Sequence, residues 1–186
     1  TGRRSVKKPR VLVLLAAGIN CDRETAFAFE QAGAVAERVH INDLVLGLKS
    51  LKDYQILVLP GGFSFGDDIA SGKVLANKLK YKLGEGIEEF RSQGKLILGI
   101  CNGFQVLVKL GLLPGLGGDY QTQRVTVTFN DSGRFEDRWV YLKINKKSPC
   151  IYTRGLEKLL YLPVRHGEGK FVAEEKLLKS LEQKGQ

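Results

Sequence analysis

Methionine is absent from this chain, histidine and cysteine are scarce, and no run of 18 apolar residues occurs along it. Each shortage removes a class of protein. Without a long apolar run the sequence offers no transmembrane helix. The three cysteines, Cys21, Cys101 and Cys150, are odd in number, far apart and free of CxxC spacing, which argues against a disulfide framework and against a zinc site. No metal site is expected, and a reducing cytoplasm suits this cysteine usage. The basic N-terminus is not followed by an apolar stretch of signal-peptide type; residues 11–17 read instead as a first strand. Internal repeats and low-complexity tracts are missing as well. The lack of methionine fits a fragment, and equally a chain whose initiator was removed ahead of Thr1.

The formal charge of +9 invites a nucleic-acid reading. Five basic and no acidic residues fall within residues 1–10, so much of the excess sits in what reads as a basic tail or linker. The remaining chain holds 24 basic and 20 acidic side chains and carries no nucleic-acid motif. Neither nucleic acid nor a membrane is therefore an expected partner. The apolar fraction of 43% and charged fraction of 26% are those of an ordinary globular protein, and residues 11–186 read as one domain.

Along that domain, strand-like and helix-like segments alternate. Residues 11–16 form a continuous apolar run, the mark of a strand buried on both faces. Residues 22–32 carry an imperfect helical stripe through Ala26, Phe27 and Phe29, closed by Gly33. A second strand is expected over 35–41, a short capped helix at 42–44, and a third strand over 55–59 that ends at Pro60-Gly61-Gly62. Two helices, 69–83 and 86–92, precede a fourth strand at 95–99. This rhythm predicts an α/β fold with a doubly wound, mostly parallel sheet. After Gly117 the pattern turns antiparallel, at 124–129, 138–144 and 160–164, with an amphipathic helix at 174–181. These are read as antiparallel edge additions to the same domain.

The most informative residues are Gly99-Ile100-Cys101-Asn102-Gly103, behind the fourth strand and ahead of a helical stretch at 104–110. Glycines two before and two after a Ser or Cys at a strand-to-helix turn make a nucleophile elbow. The turn strains the nucleophile's backbone and leaves no room for flanking Cβ atoms. The helix N-terminus supplies free N–H groups and partial positive charge, a setting that favours a thiolate. Cys101 is thus the candidate nucleophile for acyl transfer through a thioester; the competing reading is a buried structural cysteine.

Such a nucleophile needs a base and donors for the oxyanion. Of the two histidines, His40 ends an early strand without an acidic companion and reads as structural. His166 lies in Val164-Arg-His-Gly-Glu-Gly169, and a spacing of two on extended chain puts Glu168 on its face. Together they make a candidate base pair, against a glycine-flanked turn histidine. The N–H of Asn102 is the natural first oxyanion donor, and Gly61-Gly62 at the end of the neighbouring strand offers a second at Gly62. The adjoining segment Gly62-Phe-Ser-Phe-Gly-Asp-Asp68, Phe65 included, reads either as pocket wall and amino-group binder or as a capped helix start.

Four stretches then point to a family. Gly18-Ile-Asn-Cys-Asp22, Leu59-Pro-Gly-Gly-Phe-Ser-Phe-Gly-Asp67, Leu98-Gly-Ile-Cys-Asn-Gly-Phe-Gln105 with Gly111-Leu-Leu-Pro114, and His166-Gly-Glu-Gly169 resemble class I, triad-type glutamine amidotransferases. More narrowly, they resemble the glutaminase parts of phosphoribosylformylglycinamidine synthases of purine biosynthesis. The resemblance implies a flavodoxin-like sheet and hydrolysis of L-glutamine through a γ-glutamyl thioester on Cys101. It implies oxyanion donors at Gly62 and Asn102, and contact of Gln105 with the substrate. Ammonia would pass to a synthetase subunit or domain of the same synthase, with a small accessory subunit as a further partner. ATP and magnesium belong to that synthetase, so no cofactor is expected in this chain.

One departure stands out. The family's catalytic His and Glu come from a later His-Pro-Glu motif, and this sequence has none. On the resemblance, His166 and Glu168 match a different segment. The expectation is a domain truncated at its C-terminus; loss of the base, or its replacement by His166, are the alternatives. A non-catalytic docking relic and another elbow-cysteine hydrolase on a similar sheet are the competing functions.

Overall fold

The continuous apolar runs become a four-stranded parallel sheet in the computed structural model, which describes residues 7–67 and 70–186. The chain divides into two compact units, residues 1–110 and 111–186. The first runs β1 (Arg10–Leu15), α1 (Asp22–Gln31), β2 (Val35–His40), α2 (Ile41–Val45), β3 (Ile56–Leu59), α3 (Lys73–Ser92), β4 (Leu96–Gly99) and α4 (Asn102–Leu110). The sheet order is β2-β1-β3-β4, with every neighbouring pair parallel. The chain winds outward from β1 to β2, then crosses to β3 and β4 on the other side, so the sheet is doubly wound. The loops after β1 and β3 leave the switch point, where such sheets place their ligands.

Burial follows the sequence pattern closely in the middle of the sheet. Val11, Leu12, Val13 and Val58 are fully buried, and Leu59 nearly so. Against one face, Ala26 of α1 joins Val11, Val13 and Val58, with Phe29 packed alongside. Phe27, placed on the apolar stripe from sequence, is 61% exposed. The inward face of α1 is Asp22, Thr25 and Ala26, a spacing that turns position 27 outward.

Two further boundaries differ from expectation, each for a physical reason. Arg10, assigned to the tail by its charge, opens β1; its N–H donates to Gln55 Oε1 at 2.8 Å and its guanidinium lies 4.9 Å from the Tyr54 ring centre. Residues 1–6 of that tail lie outside the described residues, as does Ile69, the expected start of a helix. The helices expected at 69–83 and 86–92 are one, α3, running unbroken through Gly84 and Gly86. A Cβ on Gly86 would come within 3.3 Å of Leu51 Cδ1, so this glycine serves close packing rather than a break. The short helix α2 is capped by His40, whose Nδ1 accepts from the Asn42 N–H at 3.1 Å. His40 is thus structural, as read.

In the second unit, β5 (Thr126–Thr128) pairs antiparallel with β8 (Lys170–Val172), and β6 (Glu136–Lys143) with β7 (Leu159–His166). These are two separate two-stranded sheets, and α5 (Glu175–Lys184) buries Leu177 and Leu181. Tyr161 stacks between Trp139 and Tyr141 across β6 and β7, with ring centres 4.9 and 4.7 Å away. Among the described residues no helix is long and apolar enough to cross a membrane.

Tyr54, only 1% exposed, donates its hydroxyl to Glu37 Oε2 at 2.6 Å. The Lys49 hydrogen bond, then that of Tyr54, holds the Glu37 carboxyl below its ordinary range. A lowered carboxylate pKa contributes stability above the unfolded-state value and loses it as pH falls through the folded value. Tyr54→Phe should therefore cost about 1.5 kcal/mol at pH 7. The difference should shrink at pH 3, as read by urea midpoints at the two pH values; equal losses at both would show that the Glu37 charge is not involved.

Candidate functional site

The elbow forms because two glycines allow two close approaches. A Cβ on Gly103 would lie 1.9 Å from the Leu59 carbonyl oxygen, at the end of β3. A Cβ on Gly99 would lie 2.7 Å from the Gly103 oxygen and from Leu107 Cδ1. The first turn of α4 thus rests directly on β3 and on the end of β4. Between those glycines Cys101 takes φ +52°, a left-handed conformation costly for a residue with a side chain, and it stands exposed.

The loops after β1 and β3 are zipped together beside it. Phe63 donates its N–H to the Gly18 oxygen at 2.9 Å, and Phe65 donates to Ala17 at 2.7 Å. Ile19 and Gly62 form an isolated antiparallel bridge. A Cβ on Gly18 would fall 1.9 Å from the Phe63 oxygen, and one on Gly62 would fall 2.6 Å from the Gly18 oxygen. Both glycines have positive φ, and both are required by this backbone-to-backbone contact. Cys21 closes the group: a methyl on Gly61 would sit 3.8 Å from Cys21 Sγ and 3.4 Å from Cys101 Cβ. Burial pushes the Cys21 thiol up, and Glu24, Cys101 and Asp22 add to the shift.

Asn102 ties the elbow to the β3 loop. Its side chain is 2% exposed, and its Oδ1 accepts from the Ser64 hydroxyl at 2.6 Å and the Ser64 N–H at 3.3 Å. Its Nδ2 donates to Asp67 Oδ1 at 2.9 Å and to Gln105 Oε1 at 3.3 Å. Asp67 in turn accepts from the Gly72 N–H at 3.2 Å and the Ser71 hydroxyl at 3.3 Å, at the start of α3. Phe65 takes φ +54° in this loop, and Lys78 Nζ lies 5.6 Å from its ring centre. Asp68 lies outside the described residues.

Cys101, Asn102, Gln105, Gly62 and Phe65 therefore fall in one neighbourhood of the first unit, at the carboxyl ends of β3 and β4. Ser64 and Asp67, read from sequence only as part of the segment 62–68 that walls a pocket, binds an amino group or caps a helix, belong there too, as partners of Asn102. They stand 38 and 35 residues from Asn102, and no local spacing links them to it.

His166 and Glu168 lie in the second unit, where β7 ends at His166 and the chain bends before β8. Extended chain stops at His166, so the same-face argument for Glu168 does not apply. His166 Nδ1 is 2.9 Å from Asn130 Oδ1, which also accepts the Gly169 N–H at 3.0 Å. Asn130 Nδ2 donates to the His166 carbonyl at 2.8 Å. A Cβ on Gly169 would overlap the His166 ring, at 2.1 Å from Cε1. Asn130 is thus the residue that holds His166 in its turn, from 36 positions away, where no local spacing announces it.

The family model for CobB/CobQ-like glutamine amidotransferase domains matches residues 8–186. The chain belongs to that family. Within this amidotransferase family it is 50% identical, over 176 residues, to a phosphoribosylformylglycinamidine synthase subunit PurQ from Dehalococcoides mccartyi, covering 95% of this chain and 68% of that one. A PurQ subunit from Methanococcus maripaludis is 47% identical over 178 residues, covering 96% of this chain and 65% of the relative. The chain thus spans about two thirds of the length of these relatives. Among solved structures, PurLQS from Thermotoga maritima aligns with TM-score 0.74 and 34% identity over 91% of this chain and 71% of that chain. A second amidotransferase from T. maritima, with TM-score 0.56 and 20% identity over 91% of this chain and 65% of that chain, shares the fold.

Gly103→Ala tests the elbow's packing. In an open helical site the change gains about 1 kcal/mol of helix propensity. Here a displaced Leu59 carbonyl costs about 3 kcal/mol, so a net loss near 2 kcal/mol is expected. Gly84→Ala in α3, where an added Cβ meets nothing within 4 Å, should instead raise stability. Thermal melts of the two variants should move in opposite directions; parallel shifts would refute the packing argument.

Proposed function

We propose that this chain is the glutaminase component of a phosphoribosylformylglycinamidine synthase. The observation that carries it is Cys101 at φ +52° on a glycine-flanked elbow, tied through Asn102 to the glycine loop after β3. The Cys101 thiolate attacks the side-chain carboxamide carbon of L-glutamine. Negative charge moves to the amide oxygen, opposite the N–H groups of Asn102 and Gly62. Collapse expels the amide nitrogen, protonated to ammonia, and leaves a γ-glutamyl thioester. Water then attacks that carbonyl, releasing glutamate and restoring the thiolate. Gln105 and Phe65 border the substrate.

Ammonia passes from here to a synthetase subunit or domain that spends ATP, with magnesium, to make formylglycinamidine ribonucleotide. The PurQ relatives and the PurLQS neighbour support that partner, and a small accessory subunit is part of the same proposal. Residues 11–186 form the amidotransferase domain, and the assembly works in the cytoplasm without a cofactor bound to this chain. His166 acts as a turn residue through its Asn130 bond.

Cys101→Ala should abolish glutamine-dependent amidation by the assembled synthase and spare ammonia-dependent amidation. A diazo-ketone analogue of glutamine should add once, at Cys101, by intact mass and peptide mapping. Glutamine turnover surviving Cys101→Ala would end the assignment.

In a full-length version, His166→Ala should leave thioester formation measurable by quenched-flow trapping. Loss as complete as that of Cys101→Ala would make His166 the base.

A further inference from the structure

We propose that Asp67 is a positioning residue for the acyl-transfer step, holding the elbow's N–H donor in register with the β3 loop through the side chain of Asn102. The inference rests on the reading of Cys101 as nucleophile and goes beyond it, because Asp67 need touch neither substrate nor reacting atoms.

A primary amide has two acceptor sites and two donor hydrogens, and at Asn102 all four are engaged. The hydroxyl and N–H of Ser64 fill Oδ1, while Asp67 and Gln105 take the two Nδ2 hydrogens. Of these partners only Asp67 carries a charge, which makes its bond the strongest of the set. A carboxylate accepts and does not donate, so Asp67 also decides which way the amide faces: Nδ2 toward itself, Oδ1 toward Ser64. Reversed, the amide oxygen would oppose a carboxylate and Ser64 would lose both acceptor contacts.

Asp67 is itself fixed by construction. It sits at φ +54°, one of three described non-glycine residues with positive φ, beside Gly66 at +67°. Its carboxylate takes the Gly72 N–H immediately before α3 and the Ser71 hydroxyl. Three donors from two elements thus converge on one side chain: the start of α3 and the start of α4. The strained turn is retained where surrounding contacts over-determine it, and these three bonds supply that constraint.

The consequence is a matter of distance. An oxyanion donor acts only when it lies about 2.7–3.1 Å from the oxygen of the tetrahedral intermediate. Asn102 is both the residue after Cys101 and the owner of the buried amide, so the bonds that anchor its side chain hold its Cα, and with it the backbone N–H, in place. A misplacement near 1 Å costs about 100-fold in rate. Because the oxyanion exists only beyond the ground state, the loss falls on kcat and spares KM.

The test uses the full-length protein assembled with its synthetase, with Asp67→Ala, Asp67→Asn and Ser64→Ala beside Cys101→Ala. For Asp67→Ala, glutamine-dependent kcat should fall about 100-fold with KM for glutamine unchanged within about 3-fold. Ammonia-dependent amidation should be unaffected. Asp67→Asn keeps an acceptor oxygen and should recover about 10-fold of the loss, a rescue that a general loosening of the loop would not give. Should Asp67→Ala fail to assemble, Ser64→Ala, which removes one contact to Oδ1, should lower kcat about 10-fold at constant KM. A kcat within 2-fold of the parent, a loss expressed mainly in KM, or an Asn variant no better than Ala would overturn the proposal. Glutamine turnover by Cys101→Ala would instead overturn the reading of the site on which it rests.

Discussion

The first turn of α4 lies against the carbonyl of Leu59 so closely that residue 103 has no space for a side chain. That contact fixes the height of the helix above the sheet, and much of the candidate site follows from it. With α4 seated on β3, the link from β4 must reverse within two residues, which puts Cys101 in the left-handed region. The same seating brings the Asn102 amide within hydrogen-bonding distance of Ser64, on the loop that leaves β3. A Cβ at 103 would lift the helix and undo both effects together.

The second constraint is backbone on backbone. The loops after β1 and β3 approach so closely that a Cβ on Gly18 would strike the Phe63 carbonyl and one on Gly62 would strike the Gly18 carbonyl. In an open α/β sheet these loops diverge and leave a crevice at the switch point. Here their bridging hydrogen bonds draw them together, and Cys21, Gly61 and Cys101 are brought side by side as a result. The chain holds the Cys101 thiol on a rim stiffened from three directions: β1, β3 and α4. Preorganisation of this kind is what acyl transfer requires, since donors that reorganise during the reaction give back the energy they supply.

What was legible in the sequence was local. Continuous apolar runs gave β1 and β3 because a strand covered on both faces needs no alternation. The elbow could be read because its signature spans five residues and has one steric cause, and the amidotransferase family was readable from the motifs around it. Glycines misled where their purpose was tertiary: Gly86 reads as the start of a new helix and serves, inside α3, as a seat for Leu51. Phe27 reads as core because aromatic residues usually are, yet the helix phase turns it outward. The partners of Asn102 and His166 were beyond reach, since their hydrogen bonds join residues 35 to 38 positions apart and polar side chains announce no partner in advance.

The residue after Cys101 shows how such long-range bonds discriminate between side chains that look interchangeable. Leucine at 102 would match asparagine in branching but leave the buried Ser64 facing an apolar group, and an unsatisfied buried polar group costs about 1–3 kcal/mol. Aspartate would present a second carboxylate to Asp67 at hydrogen-bonding distance, where like charges repel or one of them must take up a proton. Serine has one donor and cannot reach both walls. An amide of asparagine length supplies two acceptor sites toward Ser64 and two donor hydrogens toward Asp67 and Gln105, all from a side chain with 2% exposure. The identity of position 102 is therefore set by its side chain, while its backbone N–H stays fixed beside Cys101. That division explains how a residue with no reactive group of its own governs the geometry beside Cys101.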